Sequence, residues 1–203
     1  MPANDQRSVP TGPQWAYEIK HDGFRFLAVR QRKQVRIYSR GGHDWSKQLP
    51  AITDALQALA ARSVVLDGEG VICGRDGKSD FDSMRACFSR QGAPDAFLYA
   101  FDVLELDGRD LRKEPWHVRR AALTQLLREG SPGIRLCEHI EDADGAVVFR
   151  AACTMGLEGI VAKRRDSRYH SGRSRDWIKI KNMAHPAIER AMLIALSKRR
   201  TIR

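Results

Sequence analysis

The sequence predicts an α+β fold in which antiparallel β-sheets pack with flanking helices. Short segments of apolar or alternating residues, bounded by Gly, Asp or Asn, are numerous and are typical of strands. They do not alternate strictly with helical segments, which argues against a doubly wound parallel sheet. The 203 residues are 42% hydrophobic and 30% charged, so the chain can bury a core of ordinary size in one domain, or in one domain with a small appendage.

Nine segments have the length and apolar pattern of strands. They lie at residues 15–20, 24–30, 34–39, 63–67, 69–74, 96–104, 134–138, 159–164 and 177–181.

Five helices are predicted from capping residues, from prolines at a first turn and from glycines at an end. One starts at Pro50, one is capped by Asp80 and runs to Phe88, one spans residues 116–129, one starts after Asp142 and ends near Gly156, and one starts at Pro186. The last has Ile188, Met192, Ala195 and Leu196 at the spacing of a single helix face.

The net charge of +10 is unevenly distributed along the chain. Residues 1–50 carry +5, residues 51–160 carry −5 and residues 161–203 carry +10. Basic ends of this kind attract a polyanion. Because the last block interleaves its cations with Tyr169 and Trp177, it favours nucleic-acid binding over a merely solvated tail. The candidate nucleic-acid contacts in this block are Arg164, Arg165, Arg168, Arg173 and Arg175.

Several classes of protein are disfavoured. The four cysteines are widely spaced and form no C-x-x-C pair, which argues against a structural zinc site and a disulfide scaffold. No stretch approaches the roughly 18 apolar residues of a membrane span, and the polar N-terminus is not a signal peptide. We therefore expect a cytoplasmic protein.

The segment KHDGFR, residues 20–25, directly follows the strand predicted at residues 15–20. A lysine that leaves a buried strand beside an Asp-Gly turn is well placed to act as a covalent nucleophile. It must first lose its proton, and an exposed lysine, with a pKa of about 10.4, is almost fully charged at neutral pH. Burial and neighbouring cations lower that pKa. Lys20 is therefore a candidate catalytic residue, the alternative being a surface lysine before a hairpin turn.

Six downstream segments decide between these interpretations. They are SRGG (39–42), LDGEG (66–70), AFDVL (100–104), LEGIVAK (157–163), YHSGRS (169–174) and WIKIK (177–181). The glycines beside Glu69 are expected to let a ligand approach the backbone closely. The two-residue strand period puts Lys179 and Lys181 on one face.

In this order the segments resemble the nucleotidyltransferase motifs of ATP-dependent DNA ligases, especially the bacterial end-joining type of ligase D and its ligase C relatives. The resemblance extends from Trp15 to Lys181 and implies the ATP-grasp-like fold of DNA ligases and mRNA capping nucleotidyltransferases. It also implies a covalent mechanism. Lys20 would attack the α-phosphate of ATP, and the bound AMP would pass to a DNA 5′-phosphate, from which the 3′-hydroxyl displaces it.

The resemblance also implies roles for charged residues around ATP. Lys179 and Lys181 would be catalytic, neutralising the α-phosphate and helping to keep Lys20 unprotonated. Glu158 would bind Mg²⁺ (or Mn²⁺), and Glu69 would hold the ribose hydroxyls or help to coordinate the metal.

Further ATP contacts are implied for residues that are less specific in themselves. Phe101 would stack on adenine, and the backbone of Glu18 and Ile19 would lie at the adenine edge. The remaining implied contacts are Arg25 and Arg40, to ribose or the 5′-phosphate, and Lys163, to phosphate. Arg40 is thereby also a nucleic-acid candidate.

Two departures from the family pattern affect the expected domain organisation. Gly41 stands where the family usually has Asn, and 22 residues follow Lys181, too few for an OB-fold domain. We expect a nucleotidyltransferase domain at residues 1–185, a C-terminal basic helix or tail at 186–203 and no OB-fold domain. The amphipathic tail favours a natural OB-less paralogue over a truncated fragment, and without that domain lysine adenylation should be slow.

Two alternatives remain open at this point. The chain could be an RNA ligase or capping-type nucleotidyltransferase, or an OB-less paralogue that serves as a nucleotide- or DNA-binding module. The flanking residues favour the bacterial DNA type. The implied partners are nicked double-stranded DNA and a Ku-like or OB-domain protein. We expect a monomer, not bound to a membrane, in the bacterial cytoplasm near the nucleoid.

Overall fold

The computed structural model describes residues 9–88, 92–172 and 174–200, with side chains described as far as Leu193. These residues fold into two compact units. Unit 1 comprises the described parts of Met1–His21, His139–Lys163 and Arg175–Arg203. Unit 2 comprises those of Asp22–Glu138 and Arg164–Ser174.

Ten strands and five α-helices occur in the described residues. The strands are β1 (Trp15–Ile19), β2 (Phe24–Gln31), β3 (Gln34–Ser39), β4 (Ser63–Val71), β5 (Phe97–Leu106), β6 (Arg109–Asp110), β7 (Ile134–Leu136), β8 (His139–Ile140), β9 (Gly159–Arg164) and β10 (Trp177–Lys181). The helices are α1 (Pro50–Ala58), α2 (Phe81–Phe88), α3 (Trp116–Leu126), α4 (Gly145–Thr154) and α5 (Pro186–Arg200), and a short 3-10 helix spans Ser46–Gln48.

Unit 1 is a four-stranded sheet in the order β10-β9-β1-β8 with its own apolar core. Alternation along β9 and β10 turns Ile160, Ala162 and Ile180 into this core, where they meet Phe149 of α4. The hydroxyl of Tyr17 donates to the carbonyl of Pro10 at 2.8 Å, which satisfies the polar end of a buried ring.

Unit 2 is a larger sheet in the order β3-β2-β4-β5-β6, with β7 paired to β5. Its core includes apolar residues of α1 and α3 together with residues of the sheet. Leu56 of α1 and Leu123 of α3 are fully buried there, together with Phe26 and Leu66 from the central strands. Burial of aliphatic and aromatic side chains of this kind stabilises a fold by roughly 1.5–3 kcal/mol for each residue.

The predicted α+β class with antiparallel sheets and flanking helices is confirmed, and β5–β7 is a parallel pair. The prediction of two strands at 63–67 and 69–74 was wrong, because β4 continues through Gly68. A Cβ on Gly68 would lie 2.7 Å from the side chain of Leu98, so this glycine keeps neighbouring strands close rather than interrupting one. Strands β6 and β8, of two residues each, are too short to show a periodicity.

All five predicted helices are present, with small changes at their ends. The carboxylate of Asp80 accepts from the amide of Ser83 at 2.9 Å, as expected of a cap. Helix α3 ends at Leu126 rather than residue 129. Helix α4 is capped by Asp144, two residues after Asp142, and Asp142 itself has a φ of 52°, which is not helical.

The predicted apolar face of α5 is only partly buried. Ile188 is 8% exposed, whereas Met192 is 54% exposed, so the face does not pack continuously. The side chains of Ala195 and Leu196 lie outside the described residues. Within the described part of the chain, none of the helices is both long enough and apolar enough to span a bilayer.

A buried ion pair joins α3 to β5 in unit 2. Two guanidinium nitrogens of Arg119 each donate to the carboxylate of Asp102 at 2.8 Å. The third nitrogen donates to the carbonyls of Glu114, at 2.6 Å, and Ser167, at 3.1 Å. The Arg119 and Asp102 side chains are 0% and 1% exposed, so nearly every donor of the arginine is used inside the protein.

Candidate active site

Lys20 directly follows β1 in unit 1, and its surroundings are fixed by the start of β9. Its backbone amide donates to the carbonyl of Gly159 at 3.0 Å. Its ammonium group forms an ion pair with the carboxylate of Glu158, and the two side chains are 16% and 5% exposed. The expected nucleophile and the expected metal ligand therefore lie in direct contact.

Gly159 is required at this point by the close approach of β10. Its φ is 141°, and a Cβ built on it would lie 2.0 Å from the carbonyl oxygen of Ile180. Gly159 is also the register partner of Lys181. Gly159 is thus hydrogen-bonded to the backbone of Lys20 on one side and paired with Lys181 of β10 on the other.

Asn182 fixes the turn that carries Glu158. Its backbone amide donates to the carbonyl of Glu158 at 2.8 Å, and its side-chain amide donates to the carbonyl of Leu157 at 3.0 Å. Asn182 is 5% exposed, so these bonds are shielded from water. The sequence gives no strong signal for this role, because a single Asn after a strand is common in turns.

Lys179 and Lys181 lie on one face of β10, as the strand period predicts. Both are exposed, whereas Ile180 between them is 6% exposed and belongs to the core of unit 1. This leaves two ammonium groups on the same sheet as Lys20 and Glu158. His21 adds no charge there at neutral pH, because burial and the charge of Lys20 lower its pKa to about 4.

Glu18 and Lys163 form a second ion pair within unit 1. The ammonium of Lys163 lies 2.7 Å from the carboxylate of Glu18, and their side chains are 2% and 3% exposed. The same ammonium lies 4.1 Å from the ring centroid of Trp177, in a cation–π contact. Ile19, next to Glu18, is 39% exposed. The amine of Lys163 is thus enclosed by protein groups, although phosphate binding was the role implied for it.

In unit 2, Arg25 is held by a carboxylate and a tyrosine. It donates to both oxygens of Asp67, at 2.9 and 2.5 Å, and to the hydroxyl of Tyr169 at 3.2 Å. Tyr169 in turn donates to Asp67 at 2.8 Å. The hydrogen bonds that Arg25 donates to Asp67 are the main cause that raises the pKa of Arg25. Burial, followed by the charge of Asp67, raises the pKa of Tyr169. Both groups therefore stay protonated at physiological pH.

Phe101 owes its placement to an irregularity in β5. Asp67 pairs with Asp102 and Gly68 pairs with Ala100, so Phe101 is the extra residue of a β-bulge. The guanidinium carbon of Arg25 lies 5.6 Å from the centroid of the Phe101 ring. The bulge brings together an aromatic and a cation that the sequence places 76 residues apart.

Glu69 is half-buried on β4 and pairs in register with Arg25. The Cβ positions of Gly68 and Gly70 point at the side chain of Leu98 and the ring of Phe26, at 2.7 and 2.5 Å. Core packing therefore gives both flanking glycines a structural role, and the approach of a ligand to their backbone stays a prediction.

The nucleic-acid candidates differ in their surroundings. Arg40 is exposed in the turn after β3, and Arg164 is exposed and paired with Asp166 at 2.8 Å. Arg165 is half-buried and its carbonyl accepts from the amide of His117. The remaining candidates are Arg168 and Arg175, which are both exposed, and Arg173, which lies outside the described residues.

Sequence reasoning missed the internal polar contacts of unit 2. Asp67 and Asp102 are acidic residues that directly follow apolar residues in β4 and β5, and both are almost fully buried. A buried carboxylate requires a partner, so these positions could have predicted buried cations. The identities of those partners, Arg25 and Arg119, could not be read from the pattern.

Glu158 is the carboxylate that lies beside the expected nucleophile. Mg²⁺ is usually held by one or two carboxylates together with water and substrate phosphates. Within the described residues no three His, Cys, Asp or Glu side chains form a cage of their own. Glu158, a carboxylate beside the expected nucleophile, fits a metal that takes its other ligands from ATP and water.

Replacing Tyr169 by phenylalanine should lower the free energy of unfolding by about 1–3 kcal/mol, because buried Asp67 loses one of its donors. Urea denaturation would measure the change. Tyr38→Phe, on β3 of the same unit, is the matched control, since Tyr38 donates to no carboxylate within the described chain. Equal small losses in both variants would contradict the prediction.

Comparisons with known proteins agree with this geometry. A family model for the ATP dependent DNA ligase domain matches residues 6–181. The multifunctional non-homologous end joining protein LigD of Pseudomonas aeruginosa is 38% identical over 175 residues, which cover 85% of this chain and 20% of that protein. A probable DNA ligase of Sorangium cellulosum is 38% identical over 176 residues, which cover 82% of this chain and 33% of that protein.

Solved structures show the same relationship. The ligase domain of M. tuberculosis LigD matches with a TM-score of 0.71 at 36% identity, covering 83% of this chain and 55% of that one. A mycobacterial DNA ligase D complexed with ATP and MES matches with a TM-score of 0.70 at 36% identity, covering 83% and 54%. The chain thus spans a fifth to a third of these curated relatives and about half of these solved chains. From its motifs, its fold and these matches, the chain belongs to the ATP-dependent DNA ligase domain family.

Proposed function

We propose that this chain is the nucleotidyltransferase part of an ATP-dependent DNA ligase that seals nicks during end-joining repair. The observation that carries the proposal is the contact between Lys20 and Glu158, on the sheet that also presents Lys179 and Lys181. We assign the nucleotidyltransferase domain to residues 1–185 and a basic C-terminal helix or tail to residues 186–203. A related ligase D has been solved with ATP, which supports ATP as the nucleotide donor.

In the proposed first step, the amine of Lys20 leaves Glu158, gives its proton to solvent and attacks the α-phosphorus of ATP. A P–N bond forms, the bond from the α-phosphorus to the bridging oxygen breaks, and pyrophosphate leaves. Lys179 and Lys181 neutralise the charge that develops on the phosphate oxygens. A Mg²⁺ bound by Glu158, with Glu69 as the other proposed ligand, would add further positive charge at the phosphates.

Roles toward the nucleoside are proposed for the residues that the family resemblance implies. Phe101 would stack on adenine, and the backbone of Glu18 and Ile19 would meet its polar edge. Glu69 would hold ribose hydroxyls, and Arg25 is pre-oriented for a ribose or phosphate contact by its bonds to Asp67. For Lys163 the proposed role is indirect, through the orientation of Glu18.

In the later steps, the AMP passes from Lys20 to the 5′-phosphate of a nick, and the 3′-hydroxyl displaces AMP to join the strand. The proposed substrate is nicked double-stranded DNA, with Arg40, Arg164, Arg165, Arg168, Arg173 and Arg175 as contacts to its phosphates. A Ku-like protein or a separate OB-domain protein is the proposed partner of a monomeric chain. The proposed location is the bacterial cytoplasm beside the nucleoid, where the proposed substrate lies.

Incubation with α-labelled ATP and Mg²⁺, followed by denaturing electrophoresis, tests the first step. We expect an acid-labile label on the protein band, because a phosphoramidate bond is stable to denaturation and labile in acid. Addition of nicked DNA should then discharge the label and yield sealed strands. A matched RNA nick distinguishes the acceptors: discharge by RNA alone would make the chain an RNA ligase. No label at any ATP concentration would contradict the proposed reaction.

A further inference from the structure

A concavity of about 340 Å³ on unit 2 lies outside the residues expected to contact ATP. One wall is the turn that carries Asp110, Arg112 and Lys113, and the other is the stretch that carries Arg168 and His170. We propose that this concavity binds a backbone phosphodiester of the DNA duplex, separate from the reacting 5′-phosphate. The inference rests on the proposed function, since it assigns DNA as the ligand.

The two walls are held together by the fold rather than by flexible side chains. The amide of Tyr169 donates to the carbonyl of Arg112 at 3.0 Å, which joins one wall to the other. Leu111, within the first wall, is 4% exposed and its amide donates to the carbonyl of Leu104 at 2.9 Å. Ser167, at the start of the second wall, is bound through its carbonyl by buried Arg119. The site is therefore shaped before any ligand arrives, which lowers the entropic cost of binding.

The concavity also has an excess of positive charge. Arg112 binds both oxygens of Asp110 at 2.9 and 2.8 Å, and hydrogen bonds from Arg112 are the main cause that lowers the pKa of Asp110 to about 2. That carboxylate is therefore ionised and offsets one cation. Among the described residues, no carboxylate lies within ion-pair distance of Lys113 or Arg168. Three permanent cations thus face one anion.

Neighbouring arginines show that this excess is local. Arg109 is paired with Glu114 at 2.6 Å and Arg164 with Asp166 at 2.8 Å, so each of these surface cations has an internal counter-ion. Lys113 and Arg168 differ from them by lining a concave surface without such a counter-ion. An anion from outside the chain would complete the charge balance there.

The chemistry of the walls favours phosphate over other anionic ligands. Arginine and lysine side chains are the usual donors to the phosphates of a duplex, and such contacts position DNA without reading its sequence. The side chains of Arg112, Lys113, Arg168 and His170 are exposed and polar. The half-buried ring of Tyr169 is the aromatic group of the lining, and it is committed to Arg119, 5.9 Å from the ring centroid, rather than to a base.

The double variant Lys113→Glu/Arg168→Glu tests the site, with Lys33→Glu/Arg62→Glu as the matched control. The control makes the same change in charge on the same unit, at the β2–β3 turn, where the amide of Arg32 donates to the carbonyl of Arg62. Neither control residue lines the concavity. Fluorescence anisotropy with a nicked duplex would give Kd at salt concentrations between about 50 and 200 mM. Over this range, affinity that depends on phosphate contacts falls steeply.

We expect the test variant to bind the nicked duplex at least about tenfold more weakly, and the slope of log K against log salt to fall by about 2, one for each lost phosphate contact. The control should bind within about threefold of wild type and keep its slope. Lys113→Gln/Arg168→Gln should show a smaller loss with the same change in slope. Thermal melting shows whether each variant is folded. If the glutamate double variant is not folded, the affinity and salt slope of Lys113→Gln/Arg168→Gln decide the test.

Wild-type affinity and slope in the test variant, or equal losses in test and control, would overturn the proposal. So would a wild-type protein that does not bind the duplex. Formation of the label from α-labelled ATP is measured in parallel with the wild-type protein. Absence of label from wild type, together with a selective loss of DNA binding in the test variant, would contradict the proposed reaction and leave the phosphate site standing.

Discussion

Lys20→Arg should abolish formation of the labelled protein–AMP adduct. Arginine keeps the positive charge and can still pair with Glu158, so the local fold should survive. Its guanidinium, with a pKa above about 12, cannot lose its proton at neutral pH and so cannot attack phosphorus. The label on the denatured protein band, counted against wild type at equal ATP, measures the effect.

Lys181→Arg is the matched control for this change. Lys181 lies on β10 opposite Gly159, and its proposed role needs positive charge but no nucleophile. The variant should therefore retain a measurable label, reduced because a guanidinium and an ammonium group bind phosphate with different geometry. A full label on Lys20→Arg would place the nucleophile elsewhere. If both variants are folded and both lose the label, the experiment would not distinguish Lys20 as the nucleophile from Lys181 as a phosphate ligand, and the prediction would be contradicted.

Arg119→Met should lower the free energy of unfolding by about 3–5 kcal/mol, because it leaves the carboxylate of Asp102 buried without its cation. Marginal stabilities of about 5–15 kcal/mol are usual for single domains, so the variant should melt well below wild type. The carbonyls of Glu114 and Ser167 would lose a donor as well. Urea denaturation followed by far-UV circular dichroism measures the change.

Two further variants identify the cause of that loss. Arg109→Met removes an exposed arginine paired with Glu114 and should cost about 0–1 kcal/mol, the usual range for a surface pair. Asp102→Leu combined with Arg119→Met removes both buried charges and should recover part of the stability lost by Arg119→Met alone. A double variant that is no more stable than Arg119→Met would contradict an origin in the unpaired carboxylate.

The parts of the fold that sequence reasoning predicted are those governed by local pattern. The strand at residues 24–31 alternates in apolar character, and the helix at Pro186 begins with a residue suited to a first turn. The two lysines of β10 share a face because a strand has a period of two residues. Each of these inferences needs only the residues themselves and their nearest neighbours along the chain.

The parts that were not predicted depend on contacts between distant segments. Asp67 and Tyr169 are 102 residues apart, and only the folded sheet brings the hydroxyl to the carboxylate. The bulge at Phe101 arises from the register of β4 against β5, which alternation alone does not specify. Similarly, the sequence could not show whether Lys163 pairs with Glu18 or binds phosphate, because either role requires a lysine in a basic segment.

Gly159 has a consequence for how the activity can be lost. A single methyl group there would meet the carbonyl of Ile180 and displace the backbone of Gly159. That displacement would reach Lys20 through the hydrogen bond from its backbone amide, Glu158 through the peptide bond, and Lys181 through the strand register. The residue itself contributes no reactive atom. In a genetic screen for inactive variants, substitutions of Gly159 should therefore be recovered as often as substitutions of Lys20, the proposed nucleophile.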